Sequence, residues 1–226
     1  APDLYRYEDT TIDPIGGWDL MCADKNPPQH MSVWMKYKYG QWVTTVQDIT
    51  ESVTYTLAPV ALSATNNIYR VPSWRNGEYY VLEYRRPSAN YDHNIPGTGL
   101  LVYRLDNSES GNAQGPPDEL YIYRPNANVT TTNGAIGMAE FSLQEGRTAM
   151  NEATIPSGFL SNNAPGGLNL YEIGEAGETI SFKIRISDLQ LTHPLGGETW
   201  FSGSSKTLTW KARSLTGTVT VDYSTD

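Results

Sequence analysis

From Thr179 to Ile186 polar and apolar residues alternate without a break, the period-two signature of a half-buried strand. Val53-Thr54-Tyr55-Thr56-Leu57 shows the same alternation, and Ile68–Val71 follows it. Two longer segments, Glu78–Arg85 and Gly99–Asp106, are rich in the aromatic and branched residues that strands favour. Loops containing Asn, Gly and Pro separate these runs, as turn chemistry requires. Residues 107–117 form a polar loop with Gly111, Gly115 and two prolines, expected to be exposed and mobile. The period changes at one place. Met31, Trp34, Met35 and Lys38 recur at three and four, which predicts a helix over Pro28–Tyr39. Pro27-Pro28 suits its first turn, Gly40 its left-handed end, and Lys36 and Lys38 its negative pole.

These patterns divide the chain into three parts: 1–45, turn-rich with the helix; 46–187, strands and turns; and 188–226. In the last part, Leu189-Gln190-Leu191, Thr207–Trp210 and Thr218–Tyr223 are short strand candidates at roughly ten-residue spacing. They read as the opening of a β-sandwich. A sandwich of that kind needs roughly 100 residues, so this module is expected to be cut short. The fold class is therefore mainly β: a small helical and irregular segment, an antiparallel sandwich-like domain, then a truncated Ig-like sandwich.

Composition supports this reading. Only 18% of residues are charged, and polarity comes largely from Ser, Thr, Asn and Gly, which suit strands and turns. The 15 Tyr and 6 Trp add strand formers with an apolar body and a polar tip. A net charge of −9 disfavours nucleic acid and anionic membranes as partners. No apolar run reaches the roughly 20 residues of a membrane span, so no membrane insertion is expected. The single cysteine, Cys22, allows no intrachain disulfide and reads as a small buried hydrophobe.

Several side chains have chemistry to weigh. His93 reads as a surface-loop histidine. Asp106, Asn107, Glu109, Asp118 and Glu119 bracket the polar loop; oxygen-rich loops can hold calcium, but these lack the EF-hand spacing and read as a solvated acidic loop. Glu83 and Arg85 share one strand face, as do Glu78 and Tyr80, with nothing to mark a glycosidase pair. Asn128-Val129-Thr130 matches a glycosylation sequon, meaningful only in a eukaryotic secretory host.

Five ordered blocks carry a family resemblance. They are Pro2-Asp3-Leu4-Tyr5; Gly17-Trp18-Asp19-Leu20-Met21; the segment Pro28–Tyr39 with Gly40-Gln41-Trp42-Val43; Tyr79–Arg85; and Ile95–Asp106. Over about residues 2–186 the chain resembles the immune inhibitor A-like family of secreted zinc metallopeptidases. The resemblance implies that residues 1–45 end a catalytic domain and 46–187 form the β-rich domain behind it. It also implies zinc as the parent's cofactor, a protein or peptide as its substrate, and an extracellular location. Asp3 falls at the third zinc-ligand position, with Glu8 and Asp9 as competing carboxylates, and Met21 at the methionine turn that floors the metal. The family's HExxH helix is missing and is expected just before Ala1. Of the three histidines, His30, His93 and His193, no two lie four residues apart, so no such motif can form here. The chain by itself is therefore expected to be inactive. The face carrying Trp18, Met21 and Trp34 should be partly exposed or covered by a partner. Pro194–Trp200 with Leu208-Thr209-Trp210 looks like the start of an Ig-like accessory repeat. The alternative is a non-catalytic β-rich binding or adhesion module, using aromatics such as Tyr79, Tyr91, Trp74 and Trp200.

Overall fold

The strand-forming runs assemble into two sheets within the segment Ala1–Ile186 of a computed structural model, which describes residues 1–88, 90–127, 133–187, 189–194, 197–212 and 218–222. In chain order the elements are α1 (Val33–Met35), β1 (Gln47–Asp48), β2 (Thr54–Leu57), β3 (Ile68–Pro72), β4 (Glu78–Arg85), β5 (Gly99–Asp106), β6 (Leu120–Ile122), β7 (Leu170–Tyr171) and β8 (Ile180–Ile184). The protein is mainly β, with antiparallel sheets. The larger sheet has the order β1-β3-β4-β5-β6 and is antiparallel except where β1 runs parallel to β3. The smaller one, β2-β8-β7, is antiparallel throughout.

The central strands are covered on both faces. Successive side chains of a strand point to opposite sides. In β4 the even positions Tyr80, Leu82 and Tyr84, with Leu100 and Val102 of β5, join Leu57, Ile180, Phe182 and Ile184 of the smaller sheet in one core. The odd positions Val81, Leu101, Tyr103 and Leu105 face the other way. There they meet Leu4, Ile15, Trp18, Val33, Trp34 and Met35 of the N-terminal part. Every residue of β5 is buried, as expected of a strand covered on both faces. Residues 1–45 are thus one layer over the larger sheet. The expectation of a partly exposed face is corrected for Trp18, fully buried, and Trp34, nearly so, because the sheet itself covers them, while Met21 is half-buried.

The helix is shorter than its spacing predicts. Ser32 caps it, its side chain accepting the Met35 N–H, and a π-helical turn, Lys36–Gly40, continues it. Residues before Ser32 do not join: the Ser32 N–H, which would have bonded the Pro28 carbonyl, donates to Asp19 at 2.6 Å, and the His30 N–H donates to Asp92 at 2.7 Å. The left-handed end is Gln41 rather than Gly40. Gly40 instead lies under the Trp42 ring, where a Cβ would sit 3.0 Å from it. Lys38 does not serve the helix pole; its ammonium reaches Glu119 at 2.8 Å and the Glu109 carbonyl at 3.0 Å.

The odd face of β4 also carries charge. Arg85, with no exposure, lies between Glu83 at 3.2 Å and Asp92 at 2.5 Å, and also donates to the His30 carbonyl. Burial opposes its charge, but the two carboxylates prevail and raise its pKa above the ordinary arginine value. Glu83 also accepts the Tyr103 hydroxyl at 2.8 Å and the Val33 N–H at 2.8 Å.

The second unit, Ser187–Asp226, contains a two-stranded antiparallel sheet of β9 (Leu189–His193) and β10 (Thr209–Ala212). Leu191, Trp200 and Trp210 are substantially exposed. Residues 218–222 form no strand, contrary to the pattern in Thr218–Tyr223.

Arg85→Ala strands two buried carboxylates. It is expected to cost about 3–5 kcal/mol of unfolding free energy, read from urea denaturation. A loss below about 1 kcal/mol, the scale of an exposed pair, would show that the cluster does not hold the N-terminal layer.

Candidate functional site

Two stretches singled out in the sequence, around Asp3 and around Met21, meet in space. Leu4 is fully buried and its N–H donates to the Met21 carbonyl at 2.9 Å. The Asp3 carbonyl accepts the Asn112 N–H at 2.8 Å. The Asn112 amide also donates to the carbonyls of Leu4 at 2.9 Å and Leu120 at 2.7 Å. Gly111 makes this approach feasible. Its φ is +74°, and a Cβ there would lie 2.7 Å from the Asp3 carbonyl oxygen. Much of the polar loop is exposed, as its composition suggests, but Gly111 and Asn112 at its middle are buried against residues 2–4. The Asp3 side chain is half-buried and accepts the Tyr7 hydroxyl. That bond and the Asp3 charge push the Tyr7 pKa up to about 12.

The turn before Met21 is built by two aspartates. Asp13 Oδ1 accepts the Gly16 N–H at 2.7 Å, and Gly16 takes the left-handed conformation that a glycine adopts without strain. A 3₁₀ turn over Gly16–Trp18 follows, and the Trp18 indole donates to the Ile136 carbonyl at 2.7 Å. Asp19 is buried and accepts the N–H groups of Met21 at 2.8 Å and Ser32 at 2.6 Å. Burial raises its pKa, which these two donors partly offset. Met21 is thus held at both its N–H and its carbonyl, and packs half-buried against the cluster containing Leu4 and Trp18.

Beside this turn lies a groove of about 490 Å³. Leu20, Met31, Val43 and Val60 supply apolar walls, with Trp42 and Tyr91 at 71% and 50% exposure. His30 and Lys36 also line it, with Lys36 Nζ 3.0 Å from His30 Nδ1. Burial lowers the pKa of both, and the neighbouring Lys36 charge helps bring His30 down to about 4. His30 is therefore neutral near pH 7 and accepts from Lys36. No local pattern marks this pair. The two residues are six apart, and their meeting depends on the extended backbone before Ser32.

The remaining candidates separate. His93 is exposed, as its loop position suggests. Cys22 is half-buried, its thiol 3.1 Å from Asp13, and burial raises its pKa away from the reactive thiolate. Asp118 and Glu119 are fully buried rather than solvated. Asp118 accepts Arg6 at 2.7 and 2.8 Å, and Glu119 accepts Lys38, Tyr39 and the Trp34 indole, so their oxygens already have cationic or N–H and O–H partners. Tyr79 lies under the Arg70 guanidinium at 4.6 Å, a packing role, and Trp200 is exposed in the second unit. The sequon lies outside the described residues. Among the described residues, no three His, Cys, Asp or Glu side chains gather to hold a metal. No helix among them is long and apolar enough to cross a membrane.

The chain matches no protein-family model, and neither a curated protein nor a solved structure is significantly similar to it.

The environment of His30 sets a pH dependence. Its folded pKa of about 4 lies below the unfolded 6.5, so the unfolded chain takes up the proton first as the medium acidifies. The stability linked to His30 is complete above pH 6.5 and is lost as pH falls toward 4. His30→Gln should flatten that part of the stability curve, measured by urea unfolding at a series of pH values. An unchanged slope would show that His30 does not carry it.

Proposed function

We propose that this chain is the part of a secreted, zinc-dependent metalloendopeptidase that follows its zinc helix, and that it hydrolyses no peptide bond by itself. The observation that carries the reading is the Leu4–Met21 backbone bond. It brings the half-buried carboxylate segment at Asp3 beside the Met21 turn, two elements that the family resemblance assigns to one metal site. The buried Asp19 fixes that turn, and the sheet supports it from behind. The described residues do not make a zinc site alone. A catalytic zinc takes three protein ligands and leaves one position open, and only Asp3 is available here. Two histidines one helical turn apart would have to come from an HExxH segment preceding Ala1. No catalytic step is therefore derived from this chain. Its part is to present Asp3 and to form the floor with Met21.

A second reading is favoured by the groove beside the turn. Trp42 and Tyr91 stand exposed at an apolar cavity, which is what a non-catalytic binding module would display.

The coding sequence immediately before Ala1 decides between them. An HExxH helix is expected there. The chain extended by that segment should cleave casein and lose the activity on chelation, while residues 1–226 alone should show neither casein cleavage nor one retained zinc per chain after dialysis. An upstream sequence without HExxH, or chelator-sensitive cleavage by the isolated chain, would overturn the peptidase reading.

A further inference from the structure

The groove beside the Met21 turn combines an apolar interior with a single cation. Lys36 is half-buried, and among the described residues its one side-chain hydrogen bond is to His30. The carboxylates nearest in the network are engaged elsewhere. Glu83 and Asp92 bond to Arg85, and Asp19 bonds to two backbone N–H groups. None of the three is within ion-pair distance of Lys36, although Glu83, Asp92 and Asp19 all act on it at longer range. An ammonium with three donors and one neutral acceptor has room for an anionic partner.

Two amides of the walls bond to backbone carbonyls. The Gln29 amide donates to the carbonyls of Ala23 at 2.6 Å and Gly17 at 3.2 Å, and the Asn67 amide to that of Ser63 at 3.0 Å. The Gln29 amide has both its donors engaged, while the Asn67 amide, nearly fully buried, keeps one N–H beyond its bond to Ser63 among the described residues. A ligand that suits these walls is apolar along its length, with polarity confined to one end. The groove volume of about 490 Å³ is within the usual range for small-molecule sites.

We infer that this groove binds a free aliphatic carboxylate, its hydrocarbon chain between Met31, Val43 and Val60 and its carboxylate on Lys36 Nζ. The chain would remove apolar wall surface from water, and the carboxylate would make a charge-assisted hydrogen bond in a partly desolvated setting. This site does not depend on the peptidase reading, because it uses neither Asp3 nor any group outside residues 1–226.

Titration calorimetry of the whole chain with octanoate, octanol and N-acetyl-leucine tests the inference. Octanoate should bind at least about tenfold more tightly than octanol, and than N-acetyl-leucine, whose polar amide would have to leave water for mostly apolar walls. Lys36→Met should remove the octanoate preference while leaving octanol binding unchanged, a result that misfolding would not produce. Ala64→Trp, at an exposed rim position, should block both ligands. Equal affinity for octanoate and octanol, or octanoate binding unaffected by Lys36→Met, would overturn the carboxylate assignment. N-acetyl-leucine binding as tightly as octanoate would show a peptide terminus as the ligand instead. No binding of any probe would exclude the site.

Discussion

Arg85 is a guanidinium with no exposure, and much of the N-terminal layer is organised by satisfying it. A buried charge of this kind is tolerated only with paired carboxylates and full hydrogen bonding. Glu83 and Asp92 supply the carboxylates, and the His30 carbonyl takes another donor. The same carboxylates then accept the N–H groups of His30 and Val33. One ion cluster therefore holds the backbone on either side of Ser32 against the sheet. It keeps that stretch extended, delays the helix to Val33, and turns His30 and Lys36 toward one groove.

The layer so anchored packs apolar residues of 1–45 on the sheet. Leu4, Trp18 and Trp34 have the odd face of β4 and β5 as their core. A site that this layer contributes to is consequently supported from the sheet side. The Met21 turn is fixed by hydrogen bonds to Asp19 and Leu4. The polar loop adds a clasp. Asn112 and Gly111 close over residues 2–4, so the Asp3 backbone is held although it stands near the chain start.

Local pattern was a good guide wherever one face of an element decides its state. Alternation over Thr179–Ile186 marked β8, and the runs Glu78–Arg85 and Gly99–Asp106 match β4 and β5 residue for residue. It failed where distant groups compete for the backbone. Spacing alone placed a helix from Pro28, but Asp19 captured the Ser32 N–H that would have bonded the Pro28 carbonyl, and Asp92 holds the His30 N–H. The short strands β1, β6 and β7 carry too few residues for a periodic signal, and β1 exists only through its parallel pairing with β3. Acid-rich composition suggested a solvated loop, whereas Arg6 and Lys38, far away in sequence, draw Asp118 and Glu119 inside.

The sequence by itself determined a mainly β chain, the extent of its central strands, the turn at Gly16–Gly17 and the lack of any HExxH pairing among its three histidines. These follow from period-two patterning, from glycine's freedom at positive φ, and from counting residues. Only the tertiary structure decided that β4 and β5 are covered on both faces, that Asp3 lies against the Met21 turn, and that Lys36 meets His30 in an apolar groove. Each of those depends on contacts between residues far apart or irregularly spaced along the chain. They were fixed by which buried charge had to be paired, and no local pattern records that.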